Sequence, residues 1–198
     1  MRRSTSRIRG RFERWPLARP ALALGVLAVA LLLGPAGFMG YAEQRAARQA
    51  AERAEAEREL IRTLAAEYGV PEELAERIHV AARSEGVPSP IAFGLVFTES
   101  SFRPRVVSSA GAVGYTQLLP STASWLVPGT DRSDLFRPET NLRIGFRYLR
   151  YLLKYYDGDL RLALTAYNRG PGTVDSMLET GRDPDNGYAE RVLRRNAE

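Results

Sequence analysis

Between Pro20 and Ala42 the chain carries no charged side chain, and the thirteen residues from Ala21 to Leu33 are all apolar or small. As a helix, this stretch would reach about 34 Å at roughly 1.5 Å per residue, enough to cross a hydrocarbon core of about 30 Å. Seven Arg (positions 2, 3, 7, 9, 11, 14 and 19) precede it, and a basic flank of this kind marks the side that stays in the cytoplasm. Residues 1–19 therefore read as a basic cytoplasmic tail and residues 20–42 as a transmembrane helix or a signal sequence. A cleaved signal is the alternative because thirteen apolar residues also suit an h-region, with Gly40-Tyr41-Ala42 as a passable cleavage site. The anchor is preferred: the uncharged stretch is long, and that site is not an Ala-x-Ala. Either way the rest of the chain lies across the membrane, so any folded domain is built from residues beyond Ala42.

Glu43 to Tyr68 is rich in Ala, Glu and Arg and has neither Pro nor Gly, which is high helix propensity with little to bury. Glu55 with Arg58 and Glu59 with Arg62 stand three apart, as helix-surface pairs do. Residues 43–69 read as a helical stalk whose Leu60, Ile61 and Leu64 dock on the following domain. An Ala-dominated seam argues against a heptad dimer.

Residues 70–198 form one domain. Pro71-Glu72-Glu73 is a helix start, with Pro at the first turn and acids near the positive end of the dipole, and that helix stops at Gly86. Pro90 opens an apolar helix through Phe93, Leu95 and Phe97 that ends at Glu99-Ser100-Ser101. Residues 115–119 and 121–126 predict two short helices around Pro120; 138–156, 160–167, 173–179 and 188–195 complete a helical set. No run alternates over strand length, so the domain is expected to be all-α.

Composition narrows the chemistry. The 198 residues contain no Cys and one His, which removes disulfides, thiol nucleophiles and the common zinc sites, so neither a metal nor a cofactor is expected. His79 lies in an Ala-rich helical pattern without a nucleophile motif nearby and reads as structural. The formal charge of +5 suggests nucleic acid, but it is confined: residues 1–20 carry +6, residues 21–70 carry −1, and residues 71–198 balance to zero. Nucleic-acid binding is not expected of a neutral domain, and the basic isoelectric point is a topology signal. Of the 28 basic residues only Lys154 is Lys, a bias that points to a G+C-rich bacterium.

Glu99 is the candidate for chemistry. It ends an apolar helix and faces a stretch, Ser100 to Thr130, that contains no Asp or Glu. A carboxyl under a Gly-rich loop at the edge of an apolar helix is poorly solvated, which favours its neutral form and suits a general acid. A two-carboxylate glycosidase site is not supported within that loop, although Asp131, Asp134 and later acids remain free to approach in space.

Four words stand in order around it: Glu99-Ser100-Ser101-Phe102; Gly111-Ala112-Val113-Gly114-Tyr115-Thr116-Gln117-Leu118-Leu119-Pro120; Asn141 to Leu149; and Ala166-Tyr167-Asn168-Arg169-Gly170-Pro171-Gly172. Together they resemble the lytic transglycosylases of the soluble-transglycosylase (SLT) type, relatives of goose-type lysozyme, over roughly residues 70–193. The resemblance implies a lysozyme-like helical fold and a peptidoglycan lyase. It would cleave the β-1,4 bond from N-acetylmuramic acid to N-acetylglucosamine without water, leaving 1,6-anhydro ends. Glu99 takes the family's catalytic acid and base position. Ser108, Gln117 and Leu119 match groove positions, Tyr167 and Asn168 the Tyr-Asn pair near the carboxyl, and Tyr188 the late Tyr that closes the site. The chain departs from the pattern at Tyr115-Thr116, where Leu-Met is usual, at Leu119, where Met is frequent, and at Arg169, where Ala is frequent.

The implied partners are peptidoglycan glycan strands, the membrane through residues 20–42, and secretion or other cell-envelope machinery. The implied location is the bacterial inner membrane as a single-pass protein with its domain in the periplasm, or secretion after signal cleavage. Two rivals keep the fold and change the function: a lysozyme-like muramidase that adds water, and a non-catalytic wall-binding protein.

Overall fold

The computed structural model describes the backbone of residues 20–194 and side chains from residue 38 onward. The chain divides into two compact units, with the second beginning at Glu57. Helix α1, Pro20–Tyr68, runs through that boundary, with non-helical backbone at Gly34 (φ 66°). The expected span at 20–42 falls mostly on side chains outside the described residues. Among the described residues no helix is long and apolar enough to cross a membrane. Residues 41–56 are exposed throughout, as expected of an Ala-Glu-Arg helix with no apolar face.

The second unit is helical: α2 (Glu72–Ser84), α3 (Ser89–Ser100), α4 (Pro120–Leu126), α5 (Pro138–Tyr155), α6 (Leu160–Arg169), α7 (Pro171–Glu179) and α8 (Tyr188–Arg194), with a 3-10 turn at Asp134–Phe136. Among the described residues there is no strand, only the isolated bridges Val107 to Val113 and Val113 to Leu118. Those bridges correct one expectation. Residues 115–119 are not a helix, because Gln117 takes a left-handed conformation (φ 44°) and Val113 and Leu118 exchange backbone hydrogen bonds across a tight hairpin.

Helix α3 is apolar on nearly every side and is correspondingly central, with Ala92, Phe93, Leu95 and Val96 fully buried. Helices α2 and α8 pack on it, α5 packs on α2 and α6, and α6 packs on α8. At Gly94 a Cβ would collide with the backbone oxygen of Val192, so only Gly permits α8 this close to α3. The end of α1 joins the same core, as its apolar residues predict, but with a different cast. Ile61, Leu64, Ala65 and Tyr68 pack inward, whereas Leu60 is exposed. The Tyr68 ring lies 5.0 Å from that of Phe93.

A smaller cluster of Val113, Leu118, Ala123, Leu135 and Ile144 seats the hairpin on α5. Glu85, just past α2, is buried, accepts from Arg147 at 2.9 Å and pairs with Arg150 at 3.0 Å, both on α5, so its buried charge is matched where α2 ends against α5. His79, read as structural from its helical context, is buried: its Nδ1 is 2.8 Å from Ser89 Oγ, and its Nε2 stands 3.2 Å from Glu57.

Candidate active site

Glu99 sits in the last turn of α3, where the apolar helix reaches a groove of about 520 Å³. Ser101 (φ 49°) and Phe102 (φ 59°) then turn the chain sharply, and Phe102 folds its ring back among Tyr68, Phe93 and Phe97. Ser108, Gln117, Leu119, Tyr167 and Asn168 all line that groove with Glu99. The remaining expected residue, Tyr188, lies behind the carboxyl, buried at 2% exposure, and its hydroxyl donates to Glu99 Oε1.

Burial is the main influence on Glu99 and pushes its carboxyl up to about 7 from an ordinary 4.5; the Tyr188 hydroxyl and the positive charge of Arg191 pull the other way. Desolvation wins because the groove offers the carboxylate one hydrogen bond where water would offer several. Glu99 is the only carboxyl among the groove's lining residues. Asp131 and Asp134 are engaged elsewhere: Asp131 accepts from Ser133 at 2.7 Å, and Asp134 pairs with Arg137.

The hairpin wall is held by a residue to which the sequence alone assigns no role. Asn141, at the start of α5 and 1% exposed, accepts from the Thr116 amide (2.9 Å) and hydroxyl (2.8 Å) and donates to Val113 O (2.8 Å) and Leu135 O (2.9 Å). A helix side chain satisfying this many buried loop groups over-determines the loop's shape. Thr116 packs so closely on α5 that a Cβ at Gly145 would overlap its side chain. This is a physical reason for Thr rather than a longer residue there. Gln117 Nε2 donates to Val106 O (3.1 Å) and Gly114 O (3.0 Å), which fixes the amide with its oxygen on the opposite side. Ser108 Oγ accepts from the Ala112 amide at 3.0 Å.

The two tyrosines have separate tasks. Tyr188 bonds the acid, whereas the buried Tyr167 donates to Thr116 O at 2.9 Å and leans on Tyr148, ring centroids 5.2 Å apart. Burial raises both phenols well above their usual range, so both remain hydroxyl donors. Asn168 is tied to the same assembly: Asn186 Nδ2 donates to its Oδ1 (2.8 Å), and Asn186 Oδ1 accepts from the Tyr188 amide (3.1 Å). Asn186 lies in a polar loop with no motif, and only the fold shows it joining α6 to α8. Arg169 is the one permanently charged lining residue, with Nη1 3.4 Å from Met177 Sδ and Nε buried without a hydrogen-bond partner.

The arrangement is a lone carboxyl, raised to about 7, in an open groove with hydroxyl, amide and aromatic walls. Among the described residues no group of His, Asp and Glu is placed to hold a metal.

Residues 76–187 match the family model for the transglycosylase SLT domain. The soluble lytic murein transglycosylase of Escherichia coli K12 is 35% identical over 98 residues, covering 46% of this chain and 15% of that protein. The membrane-bound lytic murein transglycosylase C of Edwardsiella ictaluri is 31% identical over 147 residues, covering 63% of this chain and 39% of that one. Among solved structures, the 70-kDa soluble lytic transglycosylase in complex with bulgecin A superposes with a TM-score of 0.56 at 29% identity, over 62% of this chain and 23% of that chain. The chain thus spans well under half the length of each of these proteins.

Proposed function

Because the chain belongs to the transglycosylase SLT domain family, we propose that it is a peptidoglycan lytic transglycosylase in which Glu99 acts first as acid and then as base. The observation that carries this reading is the lone groove carboxyl raised to about 7, against a Tyr188 hydroxyl that orients it. The lytic murein transglycosylases it resembles supply the substrate class, and the fold likeness to a soluble lytic transglycosylase supports the same reading.

Neutral Glu99 donates its proton to the bridging oxygen between N-acetylmuramic acid and N-acetylglucosamine, and the bond from that oxygen to the muramic anomeric carbon breaks. The N-acetylglucosamine leaves with a free 4-hydroxyl. The positive anomeric centre is stabilised by the substrate's own acetamido oxygen, a role that falls to no second carboxylate here. Glu99, now an anion, takes the proton of the muramic 6-hydroxyl as that oxygen attacks the anomeric carbon. The product carries a 1,6-anhydro ring, Glu99 is neutral again, and no water is consumed. An internal nucleophile already at high effective concentration removes the need for a second acid-base group. Gln117, Ser108, Leu119, Tyr167 and Asn168 bind and orient the sugars on either side of Glu99.

We place the domain on the outer face of the bacterial inner membrane, tethered through residues 20–42. The support is the uncharged stretch behind seven Arg, together with the kinship to membrane-bound transglycosylase C. Envelope machinery is a natural context for such a tethered enzyme, and alkaline extraction of membranes, with an antibody to the domain, tests the anchor against a cleaved signal.

Mass spectrometry of muropeptides released from purified sacculi tests the activity. Anhydro-ended products that vanish in Glu99→Gln are expected. Reducing-end muramic acid would select the muramidase reading, and binding without release of fragments the non-catalytic one.

A further inference from the structure

Beside the Glu99 groove lies a second depression of about 340 Å³, lined by Ser121, Thr122, Trp125, Tyr148, Tyr151 and Pro171. It shares Thr122, Tyr148 and Pro171 with the groove, so the two adjoin along one wall. Its distinctive wall is aromatic. Trp125 on α4 is 57% exposed and stands edge-on to Tyr151 of α5, ring centroids 4.8 Å apart at 81°. Tyr151 in turn stacks parallel to Tyr148 (6.4 Å, 9°), and Tyr148 leans on Tyr167 within the groove. An unbroken chain of rings therefore leads from the catalytic groove to an exposed Trp.

A large indole left more than half in water contributes little to the core, and α4 is anchored by the fully buried Ala123 instead. Its partners hold it in one orientation, which lowers the entropy cost of binding something flat and apolar on one face. A β-1,4 glycan presents such a face at each pyranose ring, and the depression's small hydroxyls, Ser121 and Thr122, suit the sugar's rim. Resting on the proposed glycan-cutting role of the groove, we propose that Trp125 and Tyr151 form an additional glycan subsite, which stacks a sugar outside the Glu99 groove and makes the protein favour longer strands over short ones. The occupant is the same strand whose bond lies at Glu99, because the two depressions adjoin and share Thr122, Tyr148 and Pro171.

The test uses the full chain with Glu99→Gln to prevent turnover, and calorimetric titration with peptidoglycan glycan oligomers of increasing, defined length. Affinity should rise with length until the platform is reached. Trp125→Ala should then weaken the long oligomers about tenfold, leave the short ones unchanged, and be rescued by Trp125→Tyr. Equal affinity at all lengths, or a Trp125→Ala loss that is the same for short and long oligomers, would overturn the proposal. Should Trp125→Ala not fold, Tyr151→Leu replaces it, with quenching of Trp125 emission by long but not short oligomers as the second expected sign and no length-dependent quenching as the refutation. Failure of the lyase reading shows separately, as hydrated products or no cleavage by the unsubstituted chain. The length-dependent loss of binding does not depend on which products form.

Discussion

Glu99→Gln should stabilise the domain above neutral pH even as it abolishes cleavage. The substitution keeps an oxygen to accept from the Tyr188 hydroxyl and removes only the ionisation. With Glu99 displaced from 4.5 to about 7 by burial, the native state holds a proton that the unfolded chain has already released. At 1.36 kcal/mol per unit, this amounts to about 3 kcal/mol. A carboxyl raised on folding contributes stability that is fully present below about pH 4.5 and is lost as pH rises through about 7. The stability of the parent chain minus that of Glu99→Gln should therefore fall by about 3 kcal/mol between pH 4.5 and 8. At about 3 °C per kcal/mol for a domain near this size, the melting temperatures should diverge by roughly 10 °C over that range. Urea denaturation of both proteins across the interval is the assay, and taking the difference cancels every titration the two share. A difference that stays flat with pH would refute the desolvated-acid argument, because a solvated Glu99 has no displaced proton to lose.

The same titration governs rate: kcat/KM on soluble glycan should be level below about pH 7 and fall tenfold per unit above it as neutral Glu99 disappears. Tyr188→Phe removes a hydrogen bond that lowers the Glu99 pKa, so the alkaline limb should move to higher pH while kcat falls. Asn141→Leu leaves the Thr116 amide and the Leu135 carbonyl buried without partners, strips the Val113 carbonyl of one of its two donors, and should cost about 3 kcal/mol or more in urea denaturation, with loss of activity. Gly94→Ala drives a methyl into the Val192 backbone and should cost about 1–3 kcal/mol while disproportionately impairing kcat, because α8 carries Tyr188 away from Glu99.

The helical class and most helix limits are written locally. Pro at the first turn, Gly past the last and 3.6-residue apolar periodicity act within a few residues of each other, and α2, α3 and α5 to α8 lie close to where those signals put them. Glu99, Gln117, Leu119, Tyr167 and Asn168 are legible too, as members of short words in a fixed order, with Ser108 between the first two words, and the fold brings them to one groove. The hairpin at 115–119 was not legible: its apolar residues suit a helix in isolation, and what bends them is Asn141, twenty-five positions away from Thr116. Nor did the sequence tell which phenol meets the acid, since Tyr188 reaches Glu99 only because Gly94 lets α8 settle on α3. By itself the sequence determined most of the helices, the neutral charge of the domain and Glu99 as the candidate acid, which are properties of composition and of neighbouring residues. Tertiary structure alone decided that carboxyl's protonation, its orienting hydroxyl and the ring path to Trp125. Desolvation, hydrogen bonding and stacking depend on which distant segments end up a few ångströms apart.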